Sequence, residues 1–276
     1  MQFWSIALQN DNNCYIFDTG CNYHKNRMIG LINFTHSCPL HRAYPDPAGM
    51  VMDSPRGIIS SILDGGIACG MVSLLEYFNH RDVLELENSA VISSIGPVIS
   101  TLLVSRGTLP HKGMEIAVTR HTRTTEMYLK HILRSEGIEY ETKPSSSTEA
   151  QDLLNEAEFA LVIGDEALRA FSSGFRIIWD IGYEFNRISS HAPVFAVTVK
   201  RKGVDCSREI GNLNSAIIHA HEFRDECTAE SARKLGISSA IMKRYYSLVR
   251  YEFTTETLKS IEFASSIPHQ LFGIES

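Results

Sequence analysis

Short apolar runs and capped, amphipathic segments follow one another along most of this chain, and that alternation limits the fold more than any other feature. Residues 29–34, 67–72, 83–86, 90–95, 98–105, 114–118, 140–142, 159–163, 177–181 and 194–199 read as strands. Helical signals fall between them. Asp53 or Ser54 caps a helix with Pro55 in its first turn, and Asp64-Gly65-Gly66 stops it. Residues 73–78, 126–135, 148–156 and 184–188 read as further helices, and the tail is helical from about Asn212, through 228–235 and 239–246. The pattern predicts an α/β fold with open, largely parallel sheets.

At 276 residues the chain is long for one domain and short for two independent ones. Two lobes that share a cleft fit this length. The chain is expected to cross between them near 101–105 and 194–198. That places residues 1–101 with 198–276 in one lobe and 102–197 in the other. Net charge is −6 and no Lys/Arg block is present, which argues against nucleic-acid or membrane-surface binding. The six cysteines form no Cys-x-x-Cys pair and are expected to be reduced thiols in a cytoplasmic protein. The N-terminus has no basic region ahead of an apolar run, and no 18-residue apolar segment occurs. Residues 1–28, with a small apolar patch at Cys14 and 15–17, suit a hairpin or an extension.

Ligands of open α/β sheets sit beyond the carboxyl ends of strands, where loops meet helix N-termini. Three loops answer to this: 35–40, 119–125 and 164–168. In the second, Thr122, Arg123, Thr124 and Thr125 precede a helix. Its free N–H groups and partial positive charge offer a seat for a carboxylate, unless the threonines only cap it. In the third, Gly164 allows close backbone approach. Asp165 would repel an anion, and reads as a helix cap or hinge contact. Cys38 lacks an identifiable histidine partner for nucleophilic work. His219-Ala-His221 lacks the spacing of a helical metal pair, so no metal site is expected.

Several pieces, in order, resemble the menaquinone-biosynthesis family of the futalosine route. They are Ile32-Asn33-Phe34 with Pro39-Leu40, Leu63-Asp64-Gly65-Gly66-Ile67, Val72-Ser73-Leu74-Leu75-Glu76-Tyr77, Gly96-Pro97-Val98-Ile99-Ser100, Thr122-Arg123-Thr124-Thr125, residues 161–168, Asp180-Ile181-Gly182 and residues 192–197. Ile163-Gly164-Asp165-x-Ala167-Leu168 is similar to the chorismate dehydratase branch; the naphthoate-forming branch carries a catalytic Ile-His-Glu there. The resemblance implies a two-lobed type-2 periplasmic-binding-protein-like fold with an interlobe cleft, without export. It implies a carbon-oxygen lyase that removes water from chorismate to give 3-[(1-carboxyvinyl)oxy]benzoate, with no metal or organic cofactor. The partner is then a small dicarboxylate; oligomeric state is left open. The alternatives are a non-catalytic small-carboxylate binding protein on the same fold and a 1,4-dihydroxy-6-naphthoate synthase-like lyase.

In the family, the substrate's side-chain carboxylate is thought to act as the base, held by a serine and an asparagine. Ser100 matches the serine. His36 stands where the family has the asparagine, in Phe34-Thr35-His36-Ser37-Cys38-Pro39-Leu40. Imidazole can donate one hydrogen bond in the amide's place, or take a proton near neutral pH as an amide cannot. Ser100 and His36 are therefore the candidate catalytic residues. Ser37, Thr122, Arg123, Thr124, Thr125 and Gly164 are the candidate substrate-binding residues.

Overall fold

In a computed structural model, residues 28–119 and 121–268 are described. The patch at Cys14 and 15–17, and Cys21, lie outside them. The described chain builds two sheets. The first has six strands in the order β11-β4-β10-β3-β1-β2, and the second has five in the order β7-β6-β8-β5-β9. Here β1 is Ile29–Ile32, β2 Met50–Asp53, β3 Cys69–Ser73, β4 Leu84–Ser94, β10 Val194–Arg201 and β11 Val249–Arg250. In the second sheet β5 is Thr101–Ser105, β6 Met114–Thr119, β7 Tyr140–Ser145, β8 Phe159–Ile163 and β9 Arg176–Asp180.

Both sheets are mixed rather than largely parallel. β1 runs parallel to β2 and β3, and β6 parallel to β7 and β8. β10 runs antiparallel to both β3 and β4, and β5 antiparallel to both β8 and β9. These two strands follow the passages from one sheet to the other, so each enters its new sheet from the hinge side. Val194 already pairs with Ser93 on β4. The second passage therefore ends ahead of the expected boundary at residue 198. The two strands read at 83–86 and 90–95 belong to the single long β4, Leu84–Ser94, and residues 98–100 precede β5 as hinge.

Local chemistry explains the βα junctions that later line the cavity. Helix α1 is Cys38–Ala43, entered through a 3-10 turn, Thr35–Ser37. Helix α2 is Pro55–Leu63; Ser54 Oγ accepts the Gly57 amide at 3.1 Å, and Pro55 opens the first turn. It buries Ile58, Ile59 and Ile62 on the sheet, each worth roughly 1.5–3 kcal/mol. A Cβ added to Gly70 on β3 would lie 2.8 Å from the Gly30 carbonyl, so this pair of strands needs glycine there. Helix α3, Leu74–Asn79, is capped by Ser73, whose Oγ accepts the Glu76 amide.

In the second lobe α4, Arg123–Ser135, buries Met127, Tyr128, Leu129, Ile132 and Leu133. Tyr128 reaches the second passage: its hydroxyl donates to the Val194 carbonyl at 2.6 Å and accepts the Val194 amide at 3.1 Å. Helices α5, Ala150–Glu156, α6, Gly164–Ser172, and α7, Ile181–Ser189, complete this lobe. Beyond β10 come α8 (Ser207–His219), α9 (Arg224–Leu235), α10 (Ser239–Leu248) and α11 (Thr255–Ser266); β11, between α10 and α11, rejoins the first sheet, and Phe263 of α11 packs against His131 and Phe185 of the second lobe.

The expectation of reduced thiols is corrected at one pair. Cys38, at the start of α1, and Cys227, in α9, form a disulfide with their Cα atoms 6.0 Å apart. The packing of α9 across α1 brings them together from 189 residues apart, which no local spacing signals. Cys69 and Cys206 are buried free thiols. Among the described residues, no helix is long and apolar enough to cross a membrane.

Candidate functional site

The carboxyl ends of β1, β2, β3 and β8, the first hinge passage and the N-terminus of α4 converge on one cavity. It encloses about 870 Å³ of empty space, open solvent at its mouth included. Its walls are largely apolar, from Ile32, Phe34, Ile92, Val98, Ile163 and Phe195.

His36, Ser100, Arg123, Thr124, Thr125 and Gly164, six of the residues singled out from sequence, all line it. Ser37 and Thr122 do not. Ser37 is fully buried beneath the turn, with no partner for its hydroxyl among the described residues. Thr122 turns its hydroxyl onto the Thr119 carbonyl at 2.7 Å, closing the turn ahead of α4. That local bond spends the hydroxyl that sequence assigns to a ligand.

His36 is half-buried, but its Nε2 is shut off from solvent and has no hydrogen-bond partner among the described residues. Burial pulls its pKa down to about 4, against the opposing pull of Asp165, so the ring is neutral at neutral pH. The Phe34 ring stands edge-on to it at 5.7 Å. The Tyr251 hydroxyl donates to the His36 carbonyl at 2.7 Å, which fixes the turn.

Ser100 is held from two sides. Its carbonyl accepts the Gly164 amide at 2.7 Å. Its side chain interacts with the Tyr245 hydroxyl, whose pKa burial drives far up. Gly164 sits at φ +60°, where a side chain would strain the backbone.

Helix α4 carries no side-chain cap at its N-terminus. The Thr124 hydroxyl instead accepts the Leu75 amide of α3 at 3.2 Å, a bond between the lobes. Arg123 lies 3.7 Å from Glu76, also across the lobes. Asp165 does the same on the other flank: it accepts the Thr35 amide at 3.2 Å and lies 3.6 Å from Lys234. It is an interlobe contact rather than a helix cap.

Sequence reasoning missed Arg56, Glu76, Thr101 and Tyr245. Arg56 stands in the first turn of α2 and lines the cavity, and no carboxylate among the described residues pairs with it. With Arg123 turned toward Glu76, Arg56 is the cation left to meet an anion. The signal was present: residues 50–53 ahead of the capped Pro55 helix form a βα unit, whose loop belongs at a strand's carboxyl end.

Comparison with known proteins agrees with this architecture. Protein AF1704 from Archaeoglobus fulgidus superposes with a TM-score of 0.68 at 15% identity, covering 91% of this chain and 97% of that one. The periplasmic aliphatic sulphonate binding protein SsuA from Escherichia coli gives 0.64 at 12% identity, over 89% and 87%. The Candida albicans CA3427 product, described as having the generic periplasmic binding protein fold, gives 0.60 at 11% identity, over 90% and 93%. The fold is thus the two-lobed periplasmic-binding-protein type. A chorismate dehydratase from Thermus thermophilus is 28% identical over 149 residues, about half the length of each protein (53% of both). The family described as menaquinone biosynthesis matches residues 28–266. By that match over most of its length, the chain belongs to the menaquinone biosynthesis family.

Proposed function

We propose that the chain is a hydro-lyase that dehydrates chorismate to 3-[(1-carboxyvinyl)oxy]benzoate. One observation carries this reading: one largely apolar cavity is lined by Arg56, the uncapped start of α4, Ser100 and His36, donors enough for two carboxylates. Arg56 and the uncapped N-terminus of α4, at Arg123 to Thr125, suit one anion. Ser100 and the neutral His36 suit the other.

Loss of the ring proton beside the ether oxygen, with departure of the neighbouring hydroxyl, makes the ring aromatic, and that supplies the driving force. The protein's part is to fix both anions and aim the C–H bond. Here the enolpyruvyl carboxylate takes the proton while Ser100 and His36 hold it. A histidine pulled down to about 4 is no stronger a base than a carboxylate. Neutral in the free protein, His36 is read here as an anchor in place of the family's asparagine.

A second reading, a non-catalytic protein that holds a small carboxylate, draws on the His36 departure and on the binding-protein neighbours. Incubating the purified chain with chorismate and following the ultraviolet spectrum separates the two. Growth of an aromatic chromophore, with the product identified by mass, supports the lyase. Saturable binding without conversion supports the second reading and defeats the first.

A further inference from the structure

Among the described residues, five buried side-chain polar atoms have no hydrogen-bond partner, and two of them belong to residues that line the cavity: His36 Nε2 and Thr101 Oγ1. A buried polar atom without a partner is costly, so such groups in native proteins call for an explanation, commonly an absent ligand or water. Thr101 is only 6% exposed. It begins β5, where its backbone pairs with Ile163 in the ladder, and its hydroxyl has no hydrogen-bond partner among the described residues.

The hinge explains how it reaches the cavity. Consecutive residues of a strand point to opposite faces. Ser100 stands just ahead of β5, outside that alternation, and both Ser100 and Thr101 line the cavity. The two hydroxyls are not equivalent. Ser100 is engaged by Tyr245, whereas Thr101 is free.

We infer that Thr101 is a ligand-contacting residue: its hydroxyl, alongside His36 Nε2, bonds an oxygen-bearing group of a small carboxylate ligand in this cavity. The inference rests on reading the cavity as the ligand site, and goes beyond the proposed reaction by assigning a contact to a residue no motif marks. Valine has the shape of threonine without the hydroxyl, so Thr101→Val removes the contact and little else. Thr101→Ser keeps the hydroxyl.

The test is titration of wild type, Thr101→Val and Thr101→Ser with 3-(carboxymethoxy)benzoate, a stable dicarboxylate, alongside thermal melting of each free protein. Thr101→Val is expected to weaken binding about tenfold, with Thr101→Ser within about threefold of wild type. The free Thr101→Val protein is expected to melt at the same temperature as wild type or higher, because it no longer buries an unpaired hydroxyl. Unchanged affinity in Thr101→Val overturns the inference and leaves the proposed reaction standing. If wild type binds neither this probe nor chorismate, the proposed reaction falls and the melts alone decide. A melting point at or above wild type then keeps Thr101 as a ligand contact, and a lower one shows a structural hydroxyl and overturns it.

Discussion

Asp180 holds Ile99 in its left-handed conformation. Its Oδ2 accepts the Ile99 amide at 2.7 Å and the Val98 amide at 3.0 Å, while Oδ1 accepts the Tyr183 amide at the start of α7. A β-branched residue at φ +54° costs on the order of 1–3 kcal/mol. The carboxylate offsets this by satisfying three amides at once. Burial raises its pKa, and those hydrogen bonds partly oppose the rise. Asp180 is thus a positioning residue for Ser100 and Thr101.

Asp180→Ala should therefore lower stability by about 2–4 kcal/mol, from a lost cap and two unsatisfied hinge amides. Asp180→Asn, which keeps an acceptor, should cost about 1 kcal/mol. Urea unfolding gives both values. Turnover of chorismate should fall more than stability in Asp180→Asn, because the hinge hydroxyls shift. Two variants indistinguishable from wild type would remove Asp180 from this role.

His36 should leave a mark on the pH dependence of stability. Its folded pKa, about 4, lies below the ordinary 6.5. Between these values the unfolded chain binds a proton that the folded protein refuses. The contribution is complete above pH 6.5 and is lost as pH falls toward 4, by on the order of 3 kcal/mol. His36→Asn should flatten that part of the profile relative to wild type. It should also keep chorismate turnover within severalfold. A large loss of kcat with binding intact would instead assign proton abstraction to His36.

Arg56 is exposed and unpaired among the described residues, so little in the fold depends on it. Arg56→Gln should change stability by no more than about 0.5 kcal/mol. Affinity for a dicarboxylate should fall roughly tenfold, and the salt dependence of binding should weaken. Calorimetric titration at two ionic strengths measures both. Unchanged affinity would place the anion elsewhere.

The Cys38–Cys227 bond closes a segment of 189 residues. Loop-closure entropy makes such a link worth on the order of 5 kcal/mol. Peptide mapping without reductant should recover these two cysteines joined, and reduction should lower the urea midpoint. Unlinked peptides from freshly purified protein would contradict the pairing.

The fold was legible because its signals are local. The apolar run at 159–163, the capped start at Ser54-Pro55 and the amphipathic face of 126–135 each announce their element, and their alternation announces the class. What escaped notice depends on long-range geometry. The antiparallel placement of β5 and β10 follows from hinge passages that no local pattern encodes. β2 was hidden because Met50 to Asp53 is short and only half-buried. In the site, Thr122 and Thr124 read alike as hydroxyls at a helix start, yet one closes its own turn and the other bonds Leu75 across the lobes. Tyr245 comes from a helix nearly 150 residues after Ser100, and only packing shows that they meet.

The most direct test of a dicarboxylate seat between the lobes is a crystal structure grown with saturating 3-(carboxymethoxy)benzoate. One carboxylate should lie within hydrogen-bonding distance of Arg56 or the first amides of α4, and the other beside His36, Ser100 and Thr101. Density for the compound at any other place, or an open cavity left empty at saturation, would contradict the assignment.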